Sequence, residues 1–149
     1  INQSDKGIWY LDLVDEPNHQ YPHSLKGCSS DERHTPLHSW VIEQGFLDFI
    51  HSDREGYVFG AQDNSALSGW FKRILLKLGI YEPRRTVLHS LRGTWIGLMR
   101  EARLPQDIRL AVTGQSSKDV QDRMYGEGLE KMPDVIYKEI KKVDLSWLP

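Results

Sequence analysis

One stretch of the chain, residues 88–125, constrains the fold more than any other. Its first part predicts an amphipathic helix, because apolar residues recur at three- and four-residue steps. These residues are Leu88, Leu91, Trp95, Leu98, Met99 and Ala102. His89 and Arg92 lie one turn apart on this predicted helix, so both side chains can point at one object.

Two more short helices are predicted between this helix and Tyr125. The first opens with Pro105, which suits a first helical turn, and ends near Gly114, a residue favoured just after a helix. Ser116 or Ser117 can cap the second, which carries Arg123 and ends near Tyr125. Short connections between these helices are therefore expected to bring four side-chain groups together: an imidazole, a guanidinium, an amide and a phenol. That set suits phosphate chemistry.

The spacing of these residues resembles the signature of the tyrosine recombinases, the phage integrase family. His89 and Arg92 form His-x-x-Arg, Gln115 follows Arg92 by twenty-three residues after Gly114, and Tyr125 follows Gln115 by ten. The resemblance runs from Gly7 to the end of the chain. It departs at Gln115, where the family usually has His or Trp, but a glutamine amide can still donate to a phosphate oxygen.

The resemblance also implies a catalytic lysine. Lys26 lies shortly before Thr35-Pro36-Leu37-His38, which resembles the Val-Pro-Leu-His-like run that follows the essential lysine of the family. The structural alternative is that an exposed hairpin lysine only adds solubility.

The roles that the resemblance implies are those of a metal-free strand transferase. Tyr125 forms a 3′-phosphotyrosyl link to DNA, Arg92 grips the scissile phosphate and His89 assists proton transfer. Lys26 protonates the leaving 5′-oxygen, and Gln115 donates to a phosphate oxygen. Arg and Lys supply the positive charge that such chemistry needs, so we expect no cofactor and no metal. Taken singly, His89, Arg92 and Tyr125 each have an ordinary structural explanation. Their joint spacing favours the functional one.

One member of the family pattern has no counterpart. The family places a first Arg before the strands of the sheet, whereas residues 1–32 contain no Arg. Arg33 follows Lys26 and therefore does not fill that position in the family order. We expect residues 1–149 to be the C-terminal part of a recombinase catalytic domain, without the N-terminal DNA-binding domain and first helices. Alone, they are then expected to be inactive.

Composition and charge fit such a domain. A chain of 149 residues suits one sizeable core. Its first residues do not show the charged-then-apolar pattern of a signal peptide, and no apolar run is long enough to cross a membrane. The single cysteine, Cys28, fits a reducing cytoplasm. The resemblance implies that this is the cytoplasm of a bacterial or phage-infected cell. The net charge is −7 over residues 1–71, +6 over residues 72–123 and −1 over residues 124–149. The basic block coincides with the candidate catalytic stretch, where a polyanion would dock.

The predicted fold class is α+β and mainly α, an integrase-like domain with a small antiparallel sheet near the N-terminus packed on a helical core. The strands are expected at Gly7–Leu13 and Arg33–Leu37, with a turn or long hairpin tip at Asp15–Asp31 and a further short strand at Tyr57–Phe59. The remaining helices are expected from Ser39 to about Ile50 (relaxed around Gly45), from Asn64 or Ser65 to Leu78, and from Met132 or Pro133 to Val143.

The predicted function is site-specific DNA recombination by strand cleavage and rejoining. The partners are double-stranded DNA attachment sites and further copies of the protein, as a tetrameric synapse. A second hypothesis is a DNA-binding or assembly module derived from a recombinase, in which Gln115 marks lost catalysis. A third is a helical interaction domain. The apolar C-terminal segment, with Leu145, Trp147 and Leu148, is expected to dock on its own domain without DNA and to exchange between protomers on DNA.

Overall fold

Three strands form a small antiparallel sheet in the N-terminal part of the chain. The computed structural model describes residues 1–15, 32–51, 64–115 and 128–148. The strands pair in the order β1 (Asn2–Gln3), β2 (Trp9–Leu13) and β3 (Arg33–Pro36). Leu13 pairs with Arg33, and Tyr10 pairs with Pro36. The two predicted strands are therefore confirmed with slightly shorter bounds, whereas β1 has no counterpart among them.

Helices make up most of the remaining described structure. They are α1 (Ser39–Glu43), α2 (Phe46–His51), α3 (Asn64–Lys77), α4 (Ser90–Glu101), α5 (Gln106–Thr113) and α6 (Pro133–Ile140), with a 3₁₀ turn at Leu129–Lys131. Together with the sheet they give a mixed and mainly helical architecture, as predicted. The helix predicted from Ser39 to Ile50 is two helices, because the chain turns at Gln44 and Gly45. The last helix ends at Ile140 rather than Val143, and residues 141–143 form a turn.

The hydrophobic core lies between the second half of α4, α5, α6 and the segment after α6. Met99 and Ile136 are fully buried, and Ile140 is 1% exposed. The other buried members of this cluster are Leu104, Ile108, Val112, Val143 and Leu145. Full burial of a large aliphatic side chain contributes about 1.5–3 kcal/mol, so this cluster holds α4 and α5 in place.

The predicted helix α3 carries a broad apolar stripe, which consists of Leu67, Trp70, Phe71, Ile74, Leu75 and Leu78. Leu75 is the one buried residue of that stripe. Trp70 and Leu78 are 52% and 64% exposed, while Leu67, Phe71 and Ile74 are half-buried. The helical period was sufficient to predict the helix, but it carries no information about whether another element covers the stripe.

The C-terminal segment docks on its own domain, as predicted for the chain without DNA. Val143 and Leu145 are 3% and 8% exposed and belong to the core. The His38 side chain fixes the segment further, since Nε2 lies 3.1 Å from the carbonyl oxygen of Val143 and Nδ1 accepts from the Trp40 amide at 3.2 Å. Trp147 remains 62% exposed, so the docking is incomplete at its end. Exchange between protomers on DNA stays a prediction.

Several predictions fall on other parts of the chain. Three predicted elements lie wholly or almost wholly outside the described residues. They are the strand at Tyr57–Phe59, the helix carrying Arg123, and the turn at Asp15–Asp31. Within the described residues, no helix combines the length and the apolar character needed to cross a membrane.

Candidate functional site

The N-terminus of α4 presents His89 and Arg92 on one side of the helix. His89 precedes the helix with helical dihedral angles, φ −62° and ψ −24°. The Arg92 amide donates to the His89 carbonyl at 3.1 Å, so the first turn is tight. Residues three apart on such a turn lie on the same face. Both side chains consequently line one cavity, as the spacing of the sequence predicts.

That cavity is an open cleft of about 570 Å³ between α4, the C-terminal end of α5, β3 and α3. Its apolar lining comes from Leu88, Trp95 and Val112. Its polar lining comes from Arg33, Thr35, Ser68, His89, Arg92 and Thr113. Of the described residues that line it, none is Asp or Glu, and two, Arg33 and Arg92, carry a guanidinium group. An anion is the ligand that such a lining favours.

Arg92 is held in place by the end of α5. Its Nη2 donates to the carbonyl oxygen of Thr113 at 2.6 Å. The C-terminal end of a helix carries a partial negative charge, which favours a guanidinium at this position. A guanidinium has five N–H donors. The bond to Thr113 therefore fixes the side chain and leaves other donors for a ligand.

The end of α5 is shaped by Gly114. This residue adopts φ +62° and ψ +39°, the left-handed conformation that glycine accepts without strain. The amides of Gly114 and Gln115 donate to the carbonyls of Ala111 and Leu110 at 3.3 and 3.0 Å. These two bonds satisfy the last turn of the helix. The Thr113 carbonyl consequently remains available to accept from Arg92.

Arg33 is the site residue that the sequence reasoning did not assign. A Cβ atom on Gly114 would lie 2.6 Å from Arg33 Nη1 and 2.7 Å from Cζ, so the guanidinium rests against the glycine Cα. Arg33 and Thr35 both line the cavity from β3. Alternate residues of a strand share a face, and this was the signal in the sequence that could have placed Arg33 beside Thr35.

Thr35 contributes a hydroxyl that has no partner among the described residues. Its Oγ1 is buried and makes no hydrogen bond within the described part of the chain. A buried polar group without a partner costs about 1–3 kcal/mol. A polar ligand that reached this hydroxyl would recover part of that cost, which agrees with a site built for an oxygen-rich molecule.

Gln115 lies next to the cavity rather than in its lining. Its side chain is exposed, and its Oε1 lies 3.2 Å from Thr113 Oγ1, whose hydroxyl donates over the shorter distance of 2.7 Å to the Arg109 carbonyl oxygen. The NH₂ end of the amide is the end that can donate to a ligand. The structure thus places Gln115 two residues after Thr113, the last residue of α5 that lines the cavity.

The two remaining predicted residues, Lys26 and Tyr125, lie outside the described residues. Their roles stay predictions from the sequence spacing. Among the described residues there is no group of three or more His, Cys, Asp or Glu side chains that could hold a metal ion.

Comparison with known proteins identifies no family for this chain. No protein-family model, no curated protein and no solved structure matches the chain.

Proposed function

We propose that the cleft binds a DNA phosphodiester and that the protein cuts and rejoins DNA through a covalent bond to Tyr125. One observation carries the proposal. Arg92 and His89 line a single cleft that has no carboxylate among its described lining residues. The sequence adds a tyrosine at the spacing of the tyrosine recombinases, which this pattern resembles.

The proposed reaction is a transesterification at phosphorus. The Tyr125 oxygen attacks the phosphorus atom and forms an O–P bond, while the bond from phosphorus to the 5′-oxygen breaks. His89 accepts the phenol proton, because a phenol is a poor nucleophile until its proton leaves. Lys26 donates a proton to the departing 5′-oxygen, which leaves as a hydroxyl. Attack by a 5′-hydroxyl on the phosphotyrosine reverses these steps and rejoins the strand.

Arg92 is assigned to the charge that develops on the phosphate. The bond to Thr113 holds its guanidinium in one orientation before the ligand arrives. A donor fixed in this way stabilises the transition state by about 3–4 kcal/mol, by analogy with oxyanion-hole donors. Gln115 is assigned the supporting contact, from the NH₂ end of its amide to a second phosphate oxygen.

The electrostatics of the chain favour double-stranded DNA as the partner. Residues 72–123 carry eleven Lys or Arg against five Asp or Glu, and this block contains His89 and Arg92. Phosphate contacts by such a block release counterions, so binding weakens steeply as salt rises. Further copies of the protein on the same DNA would form the recombination complex.

The second candidate function is DNA binding and assembly without strand cleavage. Gln115 favours it, because this position usually holds His or Trp in the family that the pattern resembles. In this case the cleft would bind a phosphate but make no covalent bond.

A covalent trapping experiment separates the two candidates. The whole natural polypeptide that contains these residues is incubated with nicked duplexes tiled over the DNA that flanks its coding sequence. A nick a few nucleotides downstream of the scissile phosphate lets the short fragment that bears the new 5′-hydroxyl diffuse away, so a covalent adduct accumulates. We expect an adduct with the wild-type protein and none with Tyr125→Phe, which loses only a hydroxyl. Salt-sensitive DNA retention without any adduct would favour the second candidate.

The role of Arg92 is tested on the same DNA. Arg92→Lys keeps the charge but loses the planar fork, so adduct formation is expected to fall by about 100-fold or more. Arg100→Lys makes the same exchange on the exposed last turn of α4 and should change the rate by less than about twofold. An Arg92→Lys variant that forms the adduct at nearly the wild-type rate would show that Arg92 contributes only its positive charge.

A further inference from the structure

We propose that the outer face of α3 is a docking surface for an acidic amphipathic helix of a partner protein. This face consists of the apolar residues Trp70, Ile74 and Leu78, with the basic residues Arg73 and Lys77 beside them. It lies outside the candidate site, and the proposal does not depend on the function proposed for the cleft.

The apolar part of the outer face forms one row along the helix. Trp70, Ile74 and Leu78 follow each other at four-residue steps, and residues at that spacing are neighbours on a helix surface. Leu78 directly follows α3, but its amide donates to the Ile74 carbonyl at 3.0 Å, so the helical turn continues through it. Trp70 and Leu78 are 52% and 64% exposed, and Ile74 is half-buried. A row of this kind packs into the groove of a second helix.

The charges beside this row indicate the chemistry of the partner. Arg73 and Lys77 form the neighbouring row, and both side chains are exposed. Neither makes an ion pair within the described part of the chain. Helix α3 contains three Lys or Arg residues and no Asp or Glu. A helix that covers the apolar row therefore meets two cations at its rim, where carboxylates are attracted and further cations are repelled.

The same charges disfavour a symmetric dimer through this face. In a twofold contact the same patch of both copies meets. Arg73 and Lys77 of one copy would then lie against the same two residues of the other, without a carboxylate from either α3. Like charges placed together across an interface oppose association.

The direction of the face separates it from DNA in the cleft. Ser68 lines the cleft, and Trp70 lies two residues later, about 200° further around the helix axis. The outer face therefore turns away from the cleft. A phosphate backbone would also pair with Arg73 and Lys77 but leave Trp70 and Leu78 uncovered, whereas an amphipathic helix meets both needs.

The first arm of the test uses three synthetic helical peptides of about 20 residues. All three carry leucine along one face, and the positions that flank this face are Glu in the first peptide, Lys in the second and Gln in the third. Fluorescence anisotropy measures their binding to the whole natural polypeptide that contains α3. We expect the Glu peptide to bind about tenfold or more tightly than the Lys peptide, with the Gln peptide between them.

Matched tryptophan variants locate the binding surface. Trp70→Ala should weaken binding of the Glu peptide by about tenfold or more, because a large aromatic anchor is lost. Trp147→Ala removes a tryptophan that is 62% exposed on the C-terminal segment, and it should change the affinity by less than about twofold. Thermal unfolding checks that both variants are folded. Equal effects of the two substitutions would contradict the assignment to α3.

The second arm reverses the charges of the face. The double variant Arg73→Glu with Lys77→Glu should prefer the Lys peptide over the Glu peptide, whereas Arg100→Glu on the exposed end of α4 should keep the wild-type preference. An excess of double-stranded DNA should leave the Glu peptide bound to the wild type. Displacement by DNA would assign the face to nucleic acid and overturn the proposal. Equal affinity for the three peptides, or no binding of any of them at about 100 μM, would overturn it as well.

Discussion

Helices α3 and α6 both carry an apolar stripe, but the surroundings of the two stripes are very different. In α6, Ile136 and Ile140 are completely or almost completely buried. In α3, only Leu75 is buried, and no α3 residue belongs to the described core cluster or to the residues packed against it. The comparison teaches that a helical period specifies which residues share a face, whereas the rest of the fold decides whether that face is covered.

The same difference separates the two helix ends that carry left-handed glycines. Gly114 ends α5 against Arg33 and beside the bond from Arg92 to Thr113. Gly79 follows α3 with φ +70° and has open space around it. One helix end is part of the candidate site and the other is not, although the local sequence signal is the same.

The largest expected effect contrasts the two stripes directly. Ile136→Ala should lower the free energy of unfolding by about 2–5 kcal/mol, because it leaves a cavity in the core. Leu78→Ala removes a comparable aliphatic side chain from the exposed stripe of α3. This substitution should change the free energy of unfolding by about 0.5 kcal/mol or less. Urea denaturation of both variants measures the contrast. Similar losses would mean that the exposed stripe is covered in solution.

A pair of glycine variants tests whether the end of α5 is special. Gly79→Ala adds only the strain of a left-handed alanine, on the order of 1–2 kcal/mol. Gly114→Ala adds the same strain and also pushes against the Arg33 guanidinium, so it should destabilise the protein further and weaken phosphate binding. Denaturation and phosphate titration of both variants separate the two effects. Equal losses of stability with unchanged phosphate binding would show that the Arg33 contact has no consequence.

The smallest expected effect concerns the attachment of α6 to the sheet. Ser4 Oγ donates to Asp134 Oδ1 at 2.6 Å, and Lys6 Nζ lies 3.4 Å from Asp134 Oδ2. The hydrogen bond from Ser4, with a smaller contribution from Lys6, lowers the pKa of Asp134 below its usual value of 3.8. A lowered pKa in the folded state stabilises the protein above the unfolded pKa, and this contribution is lost as the pH falls through the folded value.

Asp134→Asn removes that contribution at neutral pH. The wild type should therefore be more stable than the variant from neutral pH down to about pH 5, and the difference should shrink below the usual aspartate pKa of about 3.8. Thermal unfolding of both proteins across this range measures the difference. A gap that stays constant down to the acid limit would assign the effect of the substitution to packing instead of charge.

The parts of the fold that the sequence predicted depend on near neighbours along the chain. Pro105 and Gly114 bound α5, and Pro133 opens α6, because each residue favours its own local conformation. Likewise, His89 and Arg92 face one cleft because they are one turn apart. Such signals require no knowledge of the rest of the molecule.

The parts that were missed depend on contacts between distant segments. Arg33 reaches Gly114 only because β3 lies beside the end of α5, and the exposure of Trp70 depends on what surrounds α3. No local pattern encodes either arrangement. The strand β1 is too short for alternation to reveal it, since it has only two residues. Lys26 and Tyr125 stay predictions.

The most direct measurement identifies the side chain that bonds to DNA. After covalent trapping, the adduct is digested with nuclease and trypsin and analysed by mass spectrometry. Cleavage after Arg123 and Lys131 releases residues 124–131, Met-Tyr-Gly-Glu-Gly-Leu-Glu-Lys, in which Tyr125 is the only tyrosine. We predict that this peptide carries the nucleotide through the Tyr125 oxygen. A nucleotide on any other residue, or a wild-type protein that retains its DNA but never becomes linked to it, would contradict the proposed strand cleavage.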